Sequence, residues 1–178
     1  MNIKSPEELY QYMRENIKYG FISNIDNKAY RRVEVNNDEL YEEMLKEGYF
    51  LQTPEELNKS KYGLCYDQVE FARKWFVENN YEVFTFFSKY HNHSFIIYKD
   101  DKKYYLFERT FPGHNGIYEG KTLDECLVIY KNMQFENADN DVNEIKIYPY
   151  DKVKFGINFK EYREYASSRT SEEIILTR

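Results

Sequence analysis

The chain has 178 residues, which at the usual ~150 residues per domain is one domain with a core of its own. Hydrophobic residues make up 42% of it and aromatic residues 19%, while 25 Lys plus Arg face 31 Asp plus Glu, a net charge of −6 at pH 7. That balance excludes wholesale disorder and disfavours a phosphate backbone as partner, and no stretch nears the ~18 uncharged apolar residues of a membrane span. The start, Met1 to Glu8, lacks the apolar core of a secretory signal, and two cysteines, Cys65 and Cys126, cannot make a disulfide framework. The expected protein is a cytoplasmic single domain, spanning residues 1–178, with no nucleic-acid or membrane partner.

Ser5-Pro6-Glu7-Glu8 opens the first helix with an N-cap hydroxyl, Pro at N1 and Glu at N3. The pattern predicts a helix to about Tyr19, with Gly20 in the left-handed position after it. Asn37 is placed to cap a short helix over Asp38 to Glu47, ended by Gly48, and Thr53-Pro54-Glu55-Glu56 repeats the first capping signal. A helix from about Cys65 carries Val69, Ala72, Trp75 and Phe76 at three- and four-residue spacing and stops at Asn79-Asn80.

Three runs rich in aromatic and β-branched residues follow: Tyr81 to Ser88, His93 to Lys99 and Tyr104 to Thr110. Short polar gaps make them consecutive antiparallel strands. Phe111 to Gly116 reads as a loop, Thr122-Leu123-Asp124-Glu125 opens a helix to about Phe135, and Glu144 to Tyr150 reads as a strand. The tail has helical amphipathicity from Asn158 and ends in Ile174-Ile175-Leu176. Helices followed by neighbouring antiparallel strands indicate an α+β fold, with helices packed on an antiparallel sheet.

Three residues carry the chemistry. Cys65 falls at or near the first turn of a helix, after Gly63, where unpaired N–H groups and the helix dipole favour a thiolate. His93 heads a strand and is a candidate general base for that thiol. Glu108 lies in an otherwise apolar strand, where a carboxylate without a partner is costly to bury. A hairpin turning on Asp100-Asp101 sets His93 directly opposite Glu108, a loop two residues longer sets them diagonally on the same face, and only an odd-length loop puts them on opposite faces. In either same-face register the carboxylate orients one ring nitrogen while the other faces the thiol, the logic of a nucleophile–base–acid triad.

Gly63-Leu64-Cys65-Tyr66-Asp67-Gln68, then His93-Ser94-Phe95, then Phe107-Glu108 and Gly116-Ile117 resembles the transglutaminase-like branch of the papain-like cysteine peptidase and acyltransferase superfamily, in particular its bacterial members. The resemblance covers roughly Tyr62 to Gly120. It implies a papain-like fold with a catalytic core over about residues 50–150. Cys65 is then the nucleophile, His93 its base and Glu108 the orienting acid. The implied reaction is acyl transfer through a thioester on a protein, peptide or amide substrate, as a peptidase, amidase or transferase. No metal or organic cofactor is required. The acid usual in that superfamily is Asp, and the oxyanion-stabilising Gln six residues before the cysteine of papain is replaced here by Lys59. Cys65 N–H is one oxyanion donor, with Gln52 and Tyr62 as candidates for a second.

Two rival readings use the same residues. A His-x-His pair on a strand, His91 and His93, points both rings to one face and with Cys65, Glu108 or His114 makes a zinc site. A transglutaminase-like fold can also persist as a catalytically silent binding or scaffold module. His114 is expected on a surface or substrate loop, and Cys126 in packing.

Overall fold

The computed structural model describes residues 3–34 and 37–178, so Met1 and Asn2, part of the stretch read for a secretory signal, lie outside the described residues. The first helix, α1 (Pro6–Asn16), begins as its capping signal predicts, with Ser5 Oγ accepting the Glu8 N–H at 3.3 Å. It ends three residues early. Asn16 Nδ2 donates to Tyr12 O, and the Arg109 guanidinium reaches the carbonyls of Met13 and Ile17 at 3.3 and 3.4 Å, so the last turn finds its partners in side chains. Gly20 is therefore not a helix terminator. It sits at φ +154° between β1 (Lys18–Tyr19) and β2 (Phe21–Ile22), where a Cβ would lie 2.5 Å from Tyr30 O.

β2 pairs with β3 (Ala29–Tyr30), and the Asn37-capped helix follows as α2 (Asp38–Gly48). The Thr53 capping box closes in full at the start of α3 (Pro54–Ser60), which ends on Lys61 in the left-handed region. β4 (Tyr62–Gly63) pairs in parallel with β1, Tyr19 opposite Gly63, and leads straight into α4 (Cys65–Glu78). Then come β5 (Glu82–Ser88), β6 (His93–Asp100), β7 (Lys103–Glu108), β8 (Gly116–Gly120), α5 (Leu123–Glu136), β9 (Glu144–Tyr150), α6 (Phe159–Ala166) and β10 (Ile174–Thr177).

The last six strands form one antiparallel sheet in the order β10-β9-β5-β6-β7-β8. Alternation sorts its side chains onto two faces. Phe87, Ile96, Tyr98, Phe107 and Tyr148 face α1, α4 and α6, while Phe86, Phe95, Ile97, Leu106, Ile145 and Ile147 face α5. The α+β reading with helices on an antiparallel sheet holds at this level. The edge strands β8 and β10 and the short pairs β1–β4 and β2–β3 were not expected from the sequence. No helix among the described residues is long and apolar enough to cross a membrane.

Two details of the central hairpin differ from expectation. It turns on Asp101-Lys102, with Asp100 paired to Lys103 and Asp101 at φ +51°, not on Asp100-Asp101. β7 also stops at Glu108 and not at Thr110, because Glu108 Oε1 accepts the N–H groups of Thr110 and Phe111 at 2.9 and 3.0 Å and folds the chain into a turn.

Candidate active site

Cys65 is the first residue of α4, and the orphan N–H groups of that first turn surround its backbone. The entry is held by Asp67, whose two carboxylate oxygens accept the N–H of Leu64 at 2.8 Å and of Gln52 at 2.9 Å. Asp67 is buried, and burial pushes its carboxyl up to about 7 against the lowering effect of those hydrogen bonds. Gly63 does not make a tight turn. It has ordinary strand geometry, and its need is for close approach, since a Cβ there would sit 2.5 Å from Leu57 Cδ1 and 3.0 Å from Asp67 Cβ.

The register of β6 and β7 sets His93 and Glu108 diagonally on the α5 face of the sheet. Nε2 of His93 lies 2.9 Å from Glu108 Oε2, and both side chains are almost wholly buried. That contact leaves Nδ1 as the unused ring nitrogen, and the Cys65 thiol lies close enough to act on the ring. Burial works to lower the imidazole, but the Glu108 charge and the hydrogen bonds from Cys65 and Glu108 outweigh it and push His93 up to about 10. Cys65, His93 and Glu108, far apart in sequence, thus meet at one end of the sheet. Phe111 meets the imidazole in an edge arrangement at 5.2 Å and Tyr130 stacks parallel to it at 6.4 Å between ring centres.

The thiol is enclosed. Cys65 is 2% exposed, and the cavity beside it, lined by Gln68, Ser94, Glu108 and Arg109 among others, holds about 10 Å³, the limit for one water. Three residues to which the sequence reading gave no part in the site close it. Asn92, at φ +49° in the turn before β6, turns its carbonyl toward both Cys65 Sγ at 3.9 Å and the Tyr66 hydroxyl at 2.6 Å. Tyr19, at the end of β1, is 44% exposed as a residue, yet its hydroxyl end is within reach of the thiol, and burial there followed by the Cys65 charge raises that phenol well above its usual range. The only sequence hint of Asn92 was its type, since Asn tolerates the left-handed region. Nothing local marks Tyr19 or Tyr66 among so many tyrosines.

The remaining candidates fall into supporting places. Gln52 Nε2 donates to Tyr62 O at 2.8 Å and its Oε1 accepts from Ser60, so it braces the loop before Cys65 and has no amide hydrogen aimed at the thiol. The Tyr62 N–H is likewise turned to Ser60 Oγ. Lys59 is exposed on α3. His91 is in the turn and not on the strand, with Nε2 3.5 Å from Gln134 O, so it does not share a strand face with His93. Among the described residues no cluster of three or more His, Cys, Asp or Glu side chains is arranged to hold a metal ion. His114 lies 3.2 Å from Glu136 at the surface end of α5, and Cys126 is buried in α5 against Gly120. No family model matches this chain, and no curated protein matches it.

Proposed function

We propose that the protein is a cysteine-dependent acyl-transfer enzyme of transglutaminase-like, papain-like type, acting on a peptide or amide carbonyl. The observation that carries this reading is the buried His93–Glu108 contact with its free ring nitrogen beside a cysteine at a helix N-terminus. An imidazole pushed up to about 10 holds a proton through neutral pH, which gives the thiol proton a stable seat and leaves sulfur as the nucleophile. Sγ attacks the carbonyl carbon, and the developing oxyanion meets the N–H groups of the first turn of α4. His93 then donates its proton to the departing amine, and the acyl group remains on Cys65 as a thioester. Water resolving the thioester makes a peptidase or amidase, and an amine makes a transferase. In this scheme Glu108 never touches substrate; it fixes the ring and its charge.

The enclosure of Cys65 favours one alternative, a silent scaffold in which the same residues only complete a core. Alkylation separates the two. Iodoacetamide labelling of Cys65, followed by intact mass and peptide mapping from pH 4 to 9, is expected to be fast in the wild type and to collapse in His93→Ala. Labelling that occurs only in denaturant, or that ignores His93→Ala, overturns the enzyme reading in favour of the scaffold.

A further inference from the structure

On the α1/α4/α6 side of the sheet, separated from the enclosed thiol by the buried Tyr66 ring, runs an open groove of about 580 Å³. Its floor is apolar, formed by Leu45, Phe87 and Phe159, and its rim carries Lys46, Lys89 and Arg163. The volume is that of a small-ligand or short-peptide site. One side chain stands between the groove and the nucleophile. The Tyr66 ring lies 5.8 Å from Phe159, and its hydroxyl shares the Asn92 carbonyl with Cys65 Sγ. The Arg163 charge is close enough to act on that hydroxyl.

The charge of the rim identifies the occupant. On a chain of net charge −6, gathering cations around an apolar floor runs against the overall field. Part of the charged lining is engaged: Glu42 is 3.3 Å from Arg32, Glu164 is 3.8 Å from Lys160 at the mouth, and Lys46 is 3.5 Å from Glu47. Among the described residues, neither Arg163 nor Lys89 has a carboxylate within 4 Å. Arg163 instead places its guanidinium carbon over the Phe159 ring at 5.4 Å, an attraction that leaves its N–H fork available. A planar fork of that kind matches a carboxylate.

We propose that this groove is the substrate cleft and that it selects peptides carrying an acidic side chain beside an apolar one. The carboxylate sits on Arg163 and Lys89, the apolar side chain lies over Phe87 and Phe159, and the backbone amide points past Tyr66 to Cys65. This assignment deepens the acyl-transfer reading and rests on it, since it gives that site its substrate class.

The test uses electrophilic peptides on the full-length protein. Chloroacetyl-leucyl-glutamyl-glutamyl amide, its glutaminyl analogue and its lysyl analogue are compared with plain chloroacetamide; in each case Sγ displaces chloride and forms a thioether. Every peptide rate is divided by the chloroacetamide rate of the same protein. The acidic probe is expected to label Cys65 about tenfold faster than the lysyl probe on this scale, the size of one charge-assisted hydrogen bond. The double variant Arg163→Gln, Lys89→Gln is expected to bring the ratio to about one, and Arg163→Lys to recover only part of it. Equal ratios in the wild type, or a preference for the lysyl probe as the net charge alone dictates, overturn the groove assignment and leave the nucleophile standing. If Cys65 is inert even to chloroacetamide, the acyl-transfer reading falls instead. Fluorescence polarisation with the labelled, acetylated acidic peptide then decides the groove: saturable binding lost in the double variant keeps it as an acidic-peptide site, and absence of binding removes it.

Discussion

Glu108 divides its two oxygens between two tasks: Oε2 lies 2.9 Å from His93 Nε2, and Oε1 accepts the Thr110 and Phe111 N–H groups that turn the chain after β7. One carboxylate thus fixes both the imidazole and the end of its own strand. Glu108→Ala leaves a buried imidazolium without its partner and is expected to cost about 3–5 kcal/mol of stability. Glu108→Gln keeps an acceptor for the turn and isolates the charge. His93 is raised on folding, so its contribution is complete below its ordinary pKa of ~6.5 and is lost as pH rises through about 10. Urea midpoints from pH 6 to 10.5 should therefore fall more steeply in the wild type than in Glu108→Gln. Parallel curves would mean that the pair is uncharged in the native state.

Asp67 shifts in the same direction but from the acid side. Burial raises it to about 7, so between pH 4 and 7 the native chain binds a proton that the unfolded chain has lost. Stability from this group falls as pH rises across that window. Asp67→Asn keeps one acceptor for Leu64 or Gln52 N–H, sets its NH₂ against the other, and is expected to cost about 1–3 kcal/mol at pH 4. The difference from wild type should shrink toward pH 8, where the wild-type carboxylate bears its own burial penalty. Thermal melts at pH 4, 6 and 8 read it directly.

The three residues that meet at the candidate site were legible because each depends on a local rule. A cysteine after a glycine at a helix start, a histidine opening a strand and a carboxylate in an apolar run are all visible without tertiary information. Their juxtaposition needed only the period-two alternation of strands, which survives a two-residue change in register and so tolerated the misplaced turn. The strands β1, β4 and β10 were illegible because they are short strands whose pairing is decided by distant partners, as Tyr19 is by Gly63, while β8 is a short edge strand beside β7. The early end of α1 has the same cause: its final carbonyls are satisfied by Arg109, more than ninety positions away, and no capping pattern near Ile17 announces it. The enclosure of Cys65 belongs to this class too, since it is built from Tyr19, Tyr66 and Asn92 on three separate elements.

Tyr19 gives the N-terminal fifty residues a bearing on the site, because β1 lays that side chain over the thiol. Tyr19→Ala is expected to raise labelling of Cys65 by a bulky maleimide severalfold more than labelling by iodoacetamide, since it removes cover without touching His93 or Glu108. Tyr19→Phe retains the ring and should change the ratio little. An equal ratio in Tyr19→Ala would show that access runs past Tyr66 alone.

Beneath Tyr66 a chain of hydroxyls crosses the core: Ser94 Oγ lies 2.9 Å from Tyr162 Oη, which lies 2.8 Å from Tyr150 Oη. Tyr162 is fully buried, and its ring is 4.3 Å from that of Tyr66. Tyr162→Phe preserves this ring contact and removes the central link, leaving Ser94 and Tyr150 each short of a partner where water cannot replace it. The expected cost is about 1–3 kcal/mol. A double-mutant cycle with Ser94→Ala should be non-additive, because the second change removes one of the groups the first had orphaned. Iodoacetamide labelling of Cys65 should be nearly unaffected in Tyr162→Phe, since the packing that holds Tyr66 beside the thiol is kept; a matching loss of reactivity would instead assign the hydroxyl chain to positioning α4.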